Sequence, residues 1–326
     1  MVIGRKTGLL ATVAVAGLLL VSCDSGAGQA GSAAIVNGQA ISLDAVQQEL
    51  NSELANAPAP ADGSQPTSPA QDARQIVTNK VMDQVVSAAI GKYHLNVTDQ
   101  SVSQFLDENG GLDKLVSSSG LSSQDIQDIG RNDVALLDYA QKYLLKLRMI
   151  VDFVLVNDQK TALATANKLA ANPGDVKSIL QSVAGPSGQT ALGQQLTGGV
   201  LVSNEVQYEQ QQQQGSSSGG SEGGSVLEFF AAQPNTAMEF QYSSQQWMVA
   251  LVEHVDTDGV ATSDDTAALG QLAPQAASAG AADMLSPLAQ QLGIRISPRY
   301  GIWDPVGMQV VASADQSTGI EVPEHK

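Results

Sequence analysis

The sequence predicts an α+β fold in which a mainly helical part, built from both ends of the chain, receives an inserted α+β segment. Three changes of hydrophobic period indicate this arrangement. A strand-like start gives way to a helical period up to residue 147, an apolar run follows at residues 150–156, and a helical period returns at residues 267–292. We therefore predict that residues 34–148 and 262–303 form one helical domain, and that residues 149–256 form a module that hangs from it.

The first element is a β-hairpin that leads directly into a helix. Residues 34–36 are apolar, Asn37-Gly38 is a dipeptide typical of tight hairpin turns, and residues 40–41 resume the extended pattern. Ser42 is a suitable helix N-cap. An apolar stripe at helical spacing follows, and we expect it to enter the core. The stripe consists of Leu43, Val46, Leu50 and Leu54. The pattern alone also fits the start of many unrelated domains.

The helical period continues after a loop at residues 57–70 that contains four prolines. It predicts a second helix from residue 72 to about residue 93 and a third helix capped by Thr98. A short helix at residues 112–116 is closed by Gly120, and a long helix runs from residue 122 or 123 to residue 147. Residues 34–148 therefore predict a helical bundle with a hairpin at its start.

The inserted segment begins with a buried strand at residues 150–156, where β-branched and aromatic residues predominate. Helices are predicted at residues 161–171, 176–183 and 226–232, and strands at 240–242 and 247–255. Between them, residues 210–225 are rich in Gln, Gly and Ser and are predicted to be a low-complexity loop.

The last part of the chain is predicted to return to the helical domain. Residues 267–292 have a helical period that Pro274 and Pro287 should kink or divide. Residues 294–296 should form a short strand that pairs with residues 34–36 and closes the domain. Residues 304–326 are predicted to be a mobile tail.

The N-terminus has the pattern of an export signal with an attachment site for lipid. Arg5 and Lys6 precede an apolar run at residues 7–21, which is too short for an ordinary membrane-spanning helix, and the run ends at Cys23. Residues 1–22 resemble a bacterial lipoprotein signal peptide, and the resemblance implies that the sulfur of Cys23 is diacylated. Residues 23–33 would then be a flexible tether. The alternative is an uncleaved anchor with an incidental thiol.

The strong negative charge excludes some classes of partner. The chain has 16 basic and 33 acidic residues, a net charge of −17 and a pI near 4.3. Cleavage before Cys23 removes two basic residues, which leaves 14 basic against 33 acidic residues and a net charge of −19. Such a field repels nucleic acid and anionic lipid headgroups and attracts basic polypeptides. The alternative is that the acidity only keeps the protein soluble.

The order of these motifs resembles the SurA and PrsA class of extracytoplasmic chaperones, and in particular the actinobacterial lipoproteins with a SurA-type N-terminal domain. The resemblance rests on the lipid-attachment motif at Cys23, on the hairpin and helix at residues 36–42, on residues 95–99 and on residues 296–303. It implies a helical SurA-type domain completed by a C-terminal helix and strand, with a parvulin-like α+β insert at residues 149–256.

The resemblance also bears on catalysis. Active parvulins carry one histidine in the first strand and one in the last strand of the domain, beside a proline pocket. Phe153 and Met248 stand at the matching positions, and neither side chain supplies a hydrogen-bond donor. We therefore expect a degenerate parvulin-like fold without peptidyl-prolyl isomerase activity. An active isomerase is the enzymatic alternative.

No other chemistry is indicated by the sequence. It contains no phosphate loop, paired-cysteine metal motif or nucleophile elbow, and its three histidines, His94, His254 and His325, lie in unrelated contexts. We predict no catalytic residue, metal or cofactor. The predicted function is a lipid-anchored chaperone on the extracytoplasmic side of the cell membrane that binds unfolded or newly exported polypeptides without ATP. A scaffold lipoprotein with one dedicated partner is the other alternative.

Overall fold

The computed structural model describes residues 31–56, 68–184, 190–213 and 225–323 and has an α+β fold. The predicted hairpin is confirmed: β1 (Ser32–Val36) pairs with β2 (Gln39–Ser42). Asn37 and Gly38 both have positive φ, 51° and 75°, as this kind of turn requires. On its other side, β1 pairs with β7 (Arg295–Ile296), which confirms the predicted closure of the helical part by the end of the chain.

Among residues 43–56 and 68–143, five helices follow the hairpin, and their order agrees with the helical period of the sequence. They are α1 (Leu43–Asn56), α2 (Pro69–Tyr93), α3 (Asp99–Glu108), α4 (Leu112–Ser119) and α5 (Ser123–Tyr143). Thr98 and Ser122 form capping boxes that fix the starts of α3 and α5. The predicted stripe on α1 is only partly buried, because Val46 and Leu50 enter the core while Leu54 remains 48% exposed.

The middle of the chain forms a five-stranded antiparallel sheet with helices on both faces. Its elements are β3 (Arg148–Val156), α6 (Gln159–Ala171), α7 (Val176–Val183), β4 (Thr190–Thr197), α8 (Gly198–Gln213), β5 (Thr236–Ser243) and β6 (Gln246–Asp256). The strand order is β10-β5-β6-β3-β4, where β10 is Gly319–Pro323 from the end of the chain. Helices α6 and α7 cover one face and bury Val154, Leu169 and Val249 between them and the sheet.

Two elements of this part were not predicted. Strand β4 lies at the edge of the sheet and is largely exposed, so its sequence lacks an apolar alternation. Helix α8 begins with two glycines and ends in a glutamine run, so its sequence does not look helical. Its buried stripe consists of Leu201, Val202 and Val206. The predicted loop at residues 210–225 is therefore wrong at its start, because residues 210–213 are helical. Residues 214–224 lie outside the described residues.

The return segment is divided at its two prolines, as predicted. It forms α9 (Ser263–Leu269), α10 (Pro274–Asp283) and α11 (Ser286–Leu292), and the two prolines lie in the first turns of α10 and α11. Pro is tolerated there because the first N–H groups of a helix have no intrahelical partner.

The prediction of a mobile tail is wrong for residues 304–323. This segment, with its flanks, contains β8 (Ile302–Asp304), β9 (Gln309–Val311) and β10. The N–H of Val310 donates to Thr78 Oγ1 of α2 at 2.9 Å, and β10 pairs with β5 in the large sheet. Alternating apolar residues give the tail its buried face, so its folding follows from burial of Val306, Met308 and Val310. Residues 324–326 lie outside the described residues.

One large hydrophobic core connects the helical part with the second face of the sheet. It contains Val36 of the hairpin, Leu144 after α5, Phe240 of β5 and Leu285 beside α10. The expectation that residues 149–256 hang from the helical part as a separate module is therefore not met, because both parts bury side chains in the same core. Residues 304–311 also contribute to this core and link the two parts.

Candidate functional site

The helical part carries a groove with an apolar lining between α3, α4, α5 and α10. The groove has a volume of about 170 Å³. Its apolar walls are formed by Phe105, Leu106, Leu115, Ile126 and Ile129. Polar atoms come from Asn109, Asp133, Gln275 and Ser278. We refer to this set of residues as the apolar groove.

The short helix α4 and a glycine in α5 determine the shape of the groove. Helix α4 has only eight residues, and Leu112, Leu115 and Val116 remain half-buried because no further element covers that side. At the floor, Gly130 of α5 allows α3 to approach closely. A Cβ at this position would lie 2.9 Å from Leu106 Cδ2, closer than van der Waals contact allows. The groove therefore depends on a short, incompletely covered helix and on one glycine.

Asp133 is the one carboxyl group that lines the apolar groove. Burial raises the pKa of Asp133 to about 6, and the hydroxyl of Ser278 opposes this shift by stabilising the ionised form. The described part of the chain forms two ion pairs, Glu49 with Lys80 and Asp138 with Lys142, so Asp133 has no cationic partner within it.

Two neighbouring clefts are more polar. One, of about 280 Å³, contains the ion pair between Glu49 and Lys80, together with Glu53 and Asp125. Burial, followed by the charge of Glu49, raises the pKa of Glu53 to about 7. The other cleft, of about 320 Å³, lies between α3 and α5 and is lined by Asp99, Asp107, Asp128 and Arg131 among others. Neither cleft has the predominantly apolar lining of the groove.

The two positions matched to parvulin histidines lie on neighbouring central strands. Phe153 of β3 is opposite Ala250 of β6, and Met248 is opposite Leu155, so Phe153 and Met248 are diagonal neighbours on one face. Met248 is buried in the main core and Phe153 packs against it. Neither side chain offers a hydrogen-bond donor. His254 lies opposite Ile150, farther along the strand, and is exposed.

A second concentration of carboxyl groups, which was not predicted from the sequence, lies where the tail meets the sheet and α10. Besides burial, the charge of Asp304 contributes to the raised pKa values of Glu228, Glu239 and Asp283. We call these four residues, together with Glu321 of β10, the tail junction. Asp304 accepts backbone N–H bonds from Val306 at 3.0 Å and Gly307 at 3.2 Å through Oδ1, and from Thr318 at 2.6 Å through Oδ2.

The three glutamates of the tail junction each leave at least one buried carboxylate oxygen without a hydrogen-bond partner among the described residues. Glu239 is fully buried, and neither of its carboxylate oxygens has a hydrogen-bond partner among the described residues. Burial raises the pKa values of Glu228, Glu239 and Glu321 to about 7, and it raises that of Asp283 well above its usual value. One sequence signal could have revealed this site, because Glu239 is the one acid in β5 and lies between the apolar residues Met238 and Phe240.

Other predicted positions do not form a site. Cys23 and His325 lie outside the described residues, and His94 is the C-terminal cap of α2. Within residues 31–56, 68–184, 190–213 and 225–323, no group of His, Cys, Asp and Glu side chains is arranged to hold a metal ion. No helix in the same ranges has both the length and the apolar character needed to cross a bilayer.

Comparison with known proteins identifies the class of the first part of the chain. Residues 5–125 match the family model described as SurA-like N-terminal domain. No curated protein sequence matches the chain significantly. The matched region includes α1 to α4 and the start of α5, so Phe105, Leu106 and Leu115 of the apolar groove belong to it. The match supports a chaperone of the SurA/PrsA type and is consistent with an extracytoplasmic role in binding polypeptides.

Proposed function

We propose that this protein is a lipid-anchored extracytoplasmic chaperone that holds unfolded or newly exported polypeptides without ATP. The observation that carries the proposal is the apolar groove, whose α3 and α4 walls belong to the region that matches the SurA-like N-terminal domain, while α5 and α10 complete it. A polypeptide segment with exposed apolar side chains is the partner whose chemistry fits such a lining.

Binding in the groove would rest on burial of apolar surface. Burying one large aliphatic or aromatic side chain contributes about 1.5–3 kcal/mol, and association costs consume a large part of this gain. A groove of about 170 Å³ accommodates few side chains, so each contact is weak and reversible. Weak capture and release require no nucleotide hydrolysis, which is the basis for proposing an ATP-independent holdase.

The lipid anchor is a separate element of the proposal. Cys23 would carry the lipid, and residues 23–33 would connect it to β1, which starts at Ser32. Labelling of the exported protein with an alkyne analogue of palmitate should tag the wild-type chain and not the Cys23→Ala variant. Labelling that persists in Cys23→Ala would contradict lipid attachment at this residue.

We also propose that the sheet serves as structure or as additional binding surface and has no isomerase activity. Phe153 and Met248 pack against the core and provide no donor for a twisted proline amide. The purified protein should therefore not accelerate isomerisation of a proline-containing peptide. Turnover that disappears after substitution of residues beside Phe153 or Met248 would establish the enzymatic alternative.

The central experiment is light scattering during aggregation of an unrelated unfolded protein. The chain from Asp24 contains every described residue and should suppress aggregation at a near-equal molar ratio. Leu115→Ser should weaken suppression, because it places a hydroxyl in the apolar groove. Leu54→Ser is the matched control, since Leu54 is exposed on α1 and lines none of the three clefts.

Two outcomes would redirect the proposal. No suppression with any client or salt concentration would exclude general chaperoning and favour a scaffold that binds one dedicated partner. Equal suppression by Leu115→Ser and the wild-type chain would remove the apolar groove as the binding surface.

A further inference from the structure

We infer that the apolar groove selects client segments in which a Lys or Arg stands beside the apolar side chains, with Asp133 as the acceptor for that cation. The inference rests on the proposed function, because it names the class of segment that the same groove would bind. It adds a polar determinant to a surface that would otherwise recognise any apolar sequence.

The position of Asp133 supports this role. It lies one helical turn after Ile129 on α5, so its carboxyl group shares a face with the apolar lining. The wall opposite is α10, which contributes Pro274, Gln275 and Ser278. The carboxyl group is therefore at the edge of the apolar surface, within reach of a bound segment.

Asp133 has no cation in the groove to offset its charge. The described residues of α3, α4 and α10 that line the groove are uncharged, and those from α5 include no other titratable group. Burial raises the pKa of the Asp133 carboxyl because its ionised form is only partly hydrated, and the hydrogen bond with Ser278 opposes this shift. A Lys or Arg from a client would supply that partner, since an opposite charge stabilises the ionised form.

The surrounding charge acts in the same direction. Residues 99–133, which include α3 and α4, contain seven acidic and two basic side chains, a net charge of −5. This field would increase the encounter rate of basic segments at low salt and would be screened as the salt concentration rises. Charge complementarity therefore favours a basic, apolar polypeptide as the occupant over an acidic or neutral one.

The experiment measures binding of two fluorescent peptides by anisotropy at pH 7.5. Both have the same run of Leu and Phe, and they differ only in two flanking positions, which are Lys in one and Gln in the other. The chain from Asp24 should bind the Lys peptide about tenfold more tightly, the difference expected for one partly desolvated charge pair. The preference should decrease as the pH is lowered from 7.5 to 5, because Asp133 becomes protonated around its pKa of about 6.

Asp133→Asn tests the residue itself. The variant has nearly the same shape and loses only the charge, so it should remain folded, bind the Gln peptide as before and lose the preference for Lys. Asp258→Asn is the matched control, because Asp258 is exposed in the loop after β6 and lines none of the three clefts. It removes the same charge and should retain the preference.

The results separate this inference from the proposed function. Equal binding of both peptides, or an unchanged preference in Asp133→Asn, would overturn the role of Asp133 while the holdase proposal stands. Binding of neither peptide would also overturn the inference. The aggregation assay would then decide whether another surface of the protein binds clients.

Discussion

The apolar groove and the tail junction both place carboxyl groups in apolar surroundings, but the groove is open and the junction is closed. Asp133 in the groove is half-buried and has no cationic partner among the described residues. A bound polypeptide could provide that cation. Glu239 in the junction is fully buried, so no partner can reach its unbonded oxygens. We therefore propose that the same kind of residue contributes to binding in the groove and to pH-dependent stability in the junction.

The largest effect should come from Asp304, which fixes the tail through three backbone N–H groups. Asp304→Ala would leave one buried and two partly buried donors without an acceptor, and each unsatisfied buried donor costs on the order of 1 kcal/mol or more. We expect the free energy of unfolding in urea to fall by about 3 kcal/mol. Asp304→Asn keeps the acceptor for the N–H groups of Val306 and Gly307. Its free energy of unfolding should therefore fall by about half as much as that of Asp304→Ala. A change below about 0.5 kcal/mol in Asp304→Ala would contradict the anchoring role, because that is the range of ordinary surface substitutions.

The second effect concerns the pH dependence of stability. Burial, followed by the charge of Asp304, raises the pKa of Glu239 from its usual 4.5 to about 7 in the folded protein. The folded state therefore holds this proton more tightly, and its contribution to stability is complete below about pH 4.5 and is lost as the pH rises through about 7. The wild-type protein should be less stable at pH 8 than at pH 5.

Glu239→Gln should reduce that difference, because Gln does not ionise. We expect the loss of stability between pH 5 and pH 8, measured by urea unfolding, to shrink by about 1–3 kcal/mol. Part of the pH dependence should remain, since burial also raises the pKa values of Glu228 and Glu321 to about 7. Glu108→Gln, at an exposed site on α3, is the control. An unchanged pH profile in Glu239→Gln would show that Glu239 is not ionised at pH 8 or is not buried in solution.

A third effect tests whether the apolar groove affects client binding and not stability, and whether the tail junction affects stability and not binding. Leu115→Ala removes a half-buried side chain from the groove and should weaken peptide binding about fivefold, since fewer apolar contacts form. The free energy of unfolding should change by less than about 1 kcal/mol, because little of the side chain is withdrawn from water. Asp304→Asn should show the reverse behaviour, with lower stability and unchanged affinity at a temperature where it is folded. Loss of affinity in Asp304→Asn would contradict this division.

The smallest effect is expected at Gly130. A Cβ there would contact Leu106 Cδ2 at 2.9 Å, so Gly130→Ala must displace the Leu106 side chain at the groove floor. Ala is favoured over Gly in a helix by about 1 kcal/mol, whereas overpacking costs about 1–3 kcal/mol. We expect a net loss of about 1 kcal/mol in urea unfolding and weaker peptide binding. A more stable variant with unchanged affinity would show that Leu106 moves without reshaping the groove.

Sequence periodicity was sufficient to predict an element correctly where that element has one buried face and clear capping residues. Asn37-Gly38, Thr98 and Ser122 stand at the turn and caps where the sequence places them, and residues 294–296 were correctly paired with the hairpin. These features depend on local chemistry, such as positive φ or a side-chain acceptor for a helix N–H.

Periodicity failed where long-range packing decides the structure. Strand β4 is a polar edge strand, and α8 has a glutamine-rich end, so both resemble loops. The tail folds because β5 offers it a free edge and α2 offers it Thr78, and neither is visible in the sequence of the tail. The apolar groove was not predicted for the same reason, since it forms only when the distant helix α10 packs beside the consecutive helices α3, α4 and α5.

The most direct test of the central claim is site-specific photocrosslinking to an unfolded client. A photoreactive amino acid at position 115 in the apolar groove should form client adducts that compete with unlabelled peptide. The same amino acid at position 54, which is exposed on α1 outside the three clefts, should form few. Adducts at position 115 that exceed those at position 54 would support client binding in the groove. Equal or fewer adducts at position 115 would contradict it.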